Sequence, residues 1–85
     1  MSLAYYYPVT GPAYDVFVAC GVPMFSRTQG GSTEYYVLDW GEALAIVDAA
    51  FGEDDYTPEE EATYELLALW PTQIYLSTES LTPPF

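Results

Sequence analysis

The chain has 85 residues, one Lys or Arg, thirteen Asp or Glu and no His, giving a formal net charge of −12. That balance excludes cationic binding of nucleic acid, a histidine-based zinc site and His-dependent acid–base catalysis, and the single Cys20 excludes an internal disulfide. Hydrophobic residues make up 51% and aromatics 18%, so residues 1–85 read as one folded acidic domain and not as a disordered acidic tail.

The segment Leu3 to Val9 is aromatic and β-prone, with Pro8 restricting it to an edge or a strand end. Gly11-Pro12 signals a turn. Ala13 to Ala19 alternates, with Tyr14, Val16 and Val18 on one side and Asp15 and Phe17 on the other, which predicts a strand. A short strand is expected within Val22 to Arg27. A hairpin loop is expected over Thr28-Gln29-Gly30-Gly31-Ser32, followed by a strand over Thr33 to Leu38.

The period then changes. Asp39 and Glu42 sit at the N-cap and N3 spacing of a capping box, ahead of a helical face of Leu44, Val47 and Phe51 flanked by Ala43, Ile46 and Ala50. Gly52 suits the end of that helix. Thr57, Pro58 and Glu60 form a second box for a helix with an expected apolar stripe of Ala62, Leu66, Leu69 and Trp70, with Leu67 alongside, stopped by Pro71. Gln73 to Thr78 reads as a last strand, and Thr82 to Phe85 as irregular. The expected fold is α+β, a small antiparallel sheet of roughly three to five strands with a helix pair packed on one face.

Ten of the thirteen acids lie between Asp39 and Glu65, on the helix pair and its connector. Capping accounts for Asp39 and Glu42, and Glu59 and Glu60 also suit a helix N-terminus. It does not account for Asp48, the Glu53-Asp54-Asp55 run, or the like-charged i,i+4 pair Glu61 and Glu65. A surface shaped for solubility mixes both signs, and this one has almost no cation. Carboxylates on successive helical turns and a loop place charges several Å apart. That array fits a groove lined with Lys and Arg, where Tyr56 and Tyr64 would serve as anchors.

In size and in the layout of Asp48, Glu53, Asp54, Asp55, Glu59, Glu60, Glu61 and Glu65, the chain resembles the small acidic DNA-mimic proteins of phages and mobile elements, the anti-CRISPR and anti-restriction proteins among them. The resemblance covers about a third of the chain and carries no shared motif, so no family residue transfers. It implies a non-enzymatic inhibitor that occupies the nucleic-acid site of a bacterial defence complex, a CRISPR effector by preference. The implied partner-binding residues are those eight acids with Tyr56 and Tyr64.

Other readings rank lower. Catalysis lacks His and Lys to support a developing charge, and Cys20 has no base beside it, so it reads as a structural thiol. The Glu53-Asp54-Asp55 run lacks the alternating ligands and central Gly of a calcium loop, and no cofactor motif is present. An anti-restriction protein, an acidic phage accessory or structural protein, or a domain adapted to high salt are the alternatives. Met1 to Val9 has no basic n-region and no apolar run spans a membrane, so a cytoplasmic protein without membrane contact is expected, either a monomer or a homodimer.

Overall fold

The structure, a computed structural model, describes residues 2–84. In chain order its elements are β1 (Leu3–Val9), α1 (Pro12–Cys20), β2 (Phe25–Gln29), β3 (Ser32–Val37), α2 (Trp40–Phe51), α3 (Pro58–Leu67) and β4 (Ile74–Ser77), followed by a 3₁₀ turn at Thr78–Ser80. The four strands form one antiparallel sheet in the order β2-β3-β1-β4, so the fold is α+β.

One expected strand is a helix. Residues 12–20 form α1, with Pro12 in its first turn and Gly21 as a left-handed C-cap at φ 77°. The alternating pattern misled because the side chains that pack are Ala13, Val16, Phe17 and Cys20, at i, i+3, i+4 and i+7, with Tyr14 beside them. Val18, assigned by alternation to the same side as Val16, is exposed, whereas Phe17 is fully buried.

β1 is central, not at an edge, and Pro8 stands at its end, the other of the two positions expected. Its first half pairs with β4, from Leu3–Ser77 to Tyr6–Ile74, and its second half pairs with β3, from Tyr7–Val37 to Val9–Tyr35. Pro8 is tolerated because the β4 ladder ends at Tyr6, leaving one side of β1 with no partner asking for an N–H there. The β2–β3 hairpin turns on Gly30 and Gly31, both at positive φ (59° and 83°), as a type I′ turn requires.

The sheet buries both faces by different means. On one face Val9 and Val37 meet Phe17 of α1, Trp40, Ala43, Leu44 and Val47 of α2, and Leu67 of α3. On the other, Tyr6 and Tyr36 pack under Leu81 of the C-terminal segment, with Ala4, Phe25 and Leu76 around them. That segment also bridges to the outer edge of β2, where Ser26 and Thr82 exchange backbone hydrogen bonds of 3.0 and 2.7 Å.

α3 turns a different face inward from the one expected. Leu67 is buried and Thr63 and Tyr64 are half-buried, while Ala62, Leu66, Leu69 and Trp70 are exposed. The anchor is Trp40, whose indole Nε1 donates to the Leu67 carbonyl at 2.8 Å. In a continuing helix that carbonyl would accept from the residue four further on, but that residue is Pro71, which has no N–H. No helix among the described residues is long and apolar enough to cross a membrane.

Candidate functional site

The acidic region is built from the end of α2, the connector and α3. Asp39 caps α2 by accepting the Glu42 N–H at 3.1 Å. At the other end the chain leaves in a left-handed turn in which Gly52 and Glu53 both have positive φ (93° and 57°). The Glu53 N–H closes the turn on the Asp48 carbonyl at 2.9 Å. Gly52 adopts that backbone freely, but Glu53 does so at a cost that Gly or Asn would lessen. An acid therefore stands at a position where local geometry favours something else.

α3 starts on a complete capping box. Thr57 Oγ1 accepts the Glu60 N–H at 3.1 Å, and Glu60 Oε1 accepts the Thr57 N–H at 2.9 Å. Glu59, Glu60 and Glu61 then all lie in the first turn, where the helix dipole favours them.

Of the ten expected site residues, Tyr64 is half-buried against the Tyr56 ring and the other nine divide into two groups. Asp48, Tyr56 and Glu60 are engaged within the protein. The Tyr56 hydroxyl donates to Asp48, and its ring packs edge-on against Phe51 and Tyr64, both at 5.6 Å. Burial, then the Asp48 carboxylate, pushes the Tyr56 hydroxyl well above the ordinary tyrosine range. Glu60 is held by the capping box. These three fix the connector against both helices. The second group, Glu53, Asp54, Asp55, Glu59, Glu61 and Glu65, is exposed. The structure brings Asp54, Glu61 and Glu65 together with Tyr56 and Tyr64 around a shallow open cleft of about 420 Å³. Among the described residues no three acids or thiols converge closely enough to hold a metal ion. The carboxylates are thus a spread array and not a chelating cluster.

The only cation lies elsewhere. Arg27 on β2 pairs with Glu34 across the hairpin, Nη2 to Oε1 at 2.8 Å, and its guanidinium sits 5.7 Å from the centre of the Tyr36 ring. Hydrogen bonding to Glu34 raises the Arg27 pKa further and holds the Glu34 carboxyl below its ordinary value. Among the described residues, the acidic region of α2 and α3 therefore has no internal counter-charge. Cys20 is half-buried, and burial, followed by the charge of Glu60, pushes its thiol up and keeps it protonated.

Sequence reasoning missed a second surface, which is apolar. Leu3, Tyr5, Leu69, Trp70 and Tyr75 are each about half exposed or more. Tyr5 stacks on Tyr75 at 4.7 Å, and Trp70 packs edge-on against Tyr7 at 5.6 Å. A signal was present: Leu66 to Thr78 and Leu3 to Val9 hold no charged residue in a chain of thirteen acids.

No protein-family model, curated protein or solved structure matches this chain.

Proposed function

We propose that the protein is a non-enzymatic inhibitor of the anti-CRISPR kind. In this reading its connector and α3 surface enters a positively charged nucleic-acid site of a bacterial defence complex as a DNA mimic and blocks DNA binding. The observation that carries the reading is the set of six exposed carboxylates, Glu53, Asp54, Asp55, Glu59, Glu61 and Glu65, on one rigidly capped helix–connector unit whose only possible counter-ion, Arg27, is paired with Glu34. The backbone of Glu53 supports it, since an acid is kept there against local preference. Carboxylates on this unit would contact the Arg and Lys side chains that otherwise grip phosphates or read base edges. Tyr64, beside the cleft, supplies an aromatic contact within the acidic field.

The test is a charge reversal that spares the capping box. Glu53, Asp54, Asp55, Glu61 and Glu65 are changed to Lys, and Glu60 and Asp48 are left alone. Duplex binding by a purified CRISPR surveillance complex, and then by restriction enzymes, is followed by mobility shift in the presence of each protein. The wild type is expected to displace DNA, less effectively as salt rises, and the reversed variant to have no effect at unchanged helix content. Equal inhibition by the folded variant would defeat the mimicry reading. A wild type that unfolds at low salt would favour adaptation to a salty solvent instead.

A further inference from the structure

The two edges of the sheet are treated differently. The outer edge of β2 is closed by the Ser26–Thr82 bridge, and Pro83 and Pro84 follow directly. The outer edge of β4 is open: the order β2-β3-β1-β4 leaves Ile74–Ser77 paired on one side only. Folded proteins blunt such an edge with charge, proline or a bulge. Ile74, Tyr75, Leu76 and Ser77 carry none of these.

The flank of that edge is apolar. Leu3 (49% exposed), Tyr5 (58%) and Tyr75 (55%) share the sheet face on which the helices pack but extend past them, and Trp70 (53%) continues the run through Tyr7. At roughly 200 Å² per aromatic side chain, these residues with Leu69 offer on the order of 500 Å² per copy. Complete cover of this surface in two copies would bury at most about 1,000 Å², the lower bound of a specific interface.

We propose that β4 pairs antiparallel with β4 of a second copy, joining two sheets into one and making the protein a weak, reversible homodimer. A two-fold axis perpendicular to the sheet keeps the helices of both copies on one side. It sets Tyr75 opposite Tyr75 of the second copy and Ile74 opposite Leu76, so that directly opposed residues point to the same face. The row Tyr5, Tyr75, Tyr75, Tyr5 would then run across the joint, with aromatic cross-strand pairs throughout. Charge opposes a second copy least at this edge: each copy carries −12, but β1 and β4 themselves hold no acid. Short of saturation, such a dimer should tighten as salt screens the remaining repulsion, the reverse of what salt does to binding of a basic target. The two proposals can therefore fail separately.

Sedimentation of the wild type over a wide concentration range, at low and high salt, is the test. A monomer–dimer equilibrium centred on twice 9.5 kDa and strengthened by salt is expected. Tyr75→Glu, which sets like charges against each other at the axis, should weaken it at least about tenfold. Tyr75→Phe should leave it unchanged. Because the Glu variant could perturb the fold, hydrogen exchange of the wild type is compared in dilute and concentrated solution, and β4 amides should gain protection on concentration. A wild type monomeric throughout overturns the proposal. So does a dimer whose β4 amides exchange equally in both states, or a folded Tyr75→Glu variant that dimerises as the wild type does.

Discussion

Trp40→Phe removes one hydrogen bond and part of one ring, and its cost follows from the geometry. Trp40 is 2% exposed, and its ring lies 5.0 Å from Phe17 and 5.9 Å from Tyr7. Its Nε1 is the donor reaching the Leu67 carbonyl, and Pro71 withholds the helical alternative. Phe cannot donate, so a buried carbonyl is orphaned at about 1–3 kcal/mol. The lost portion of the indole adds roughly 1 kcal/mol in transfer and cavity terms. The sum is about 2–4 kcal/mol, against a total stability of roughly 4–13 kcal/mol for a chain of this length. A fall in Tm on the order of 10–25 °C is expected. Urea unfolding at one fixed protein concentration, followed by far-ultraviolet circular dichroism, measures the change, with Trp70 left as a fluorescence reporter of the α3 terminus. A loss below about 0.5 kcal/mol would refute the assignment of Trp40 as the donor that ends α3.

Other perturbations test separate elements. Thr57→Ala removes the side-chain half of the α3 capping box, leaves the backbone N–H at 57 free to donate to Glu60, and should cost about 1 kcal/mol, with faster amide exchange confined to the first turn of α3. Gly31→Val forces a β-branched residue to φ 83° in the hairpin turn and should cost about 1–2 kcal/mol in urea unfolding, whereas Gly30→Asn is milder. Acid should remove specific support. Arg27 lowers the Glu34 carboxyl, and the Ser77 hydroxyl and the Ser2 N–H lower that of Glu79. A depressed folded pKa gives stability that is present above the unfolded value, about 4.3, and is lost as pH falls through the lower folded value. The Glu34→Gln, Glu79→Gln double variant should therefore show a flatter acid limb when stability is measured from pH 6 down to about 2. An unchanged acid limb would show that these two contacts do not form.

Punctuation was the most legible part of the sequence. Asp39, Thr57 with Glu60, Gly52 and the Gly30-Gly31 pair all act where the chain placed them, because each has a local cause: an orphan N–H to satisfy or a positive φ to permit. Faces were less legible. In α1 the side chains Tyr14, Val16, Phe17 and Val18 are apolar nearly all round, so alternation and helical period both fit, and Pro12 and Gly21 decide for the helix as N- and C-terminal signals. At the candidate site, the position of the charge could be read from the sequence, but the division of labour within it could not. That Asp48 and Glu60 are spent inside the protein depends on Tyr56 folding back onto α2 and on Thr57 capping α3.

The inversion of α3 has a physical cause that also explains the apolar surface. Two stripes compete on that helix. One, of Ala62 and Leu66, continued beyond the end of α3 by Leu69 and Trp70, is the more hydrophobic, and by burial alone it should face the core. The other, of Glu60, Thr63, Tyr64 and Leu67, is weaker but meets specific partners: Trp40 for the Leu67 carbonyl and the Tyr56 ring for Tyr64. Burying the first stripe would carry Tyr64 off the connector and leave the Trp40 N–H inside the core without an acceptor, a penalty of about 1–3 kcal/mol. The hydrogen-bonded arrangement prevails, and four apolar residues are left outside. The partnered stripe fixes how the acidic connector is held, while the excluded one leaves a charge-free patch leading to the open edge of β4. The acidic surface and the exposure of Ala62 and Leu66 therefore follow from one rotational setting of α3, while Leu69 and Trp70 lie beyond its end at Leu67.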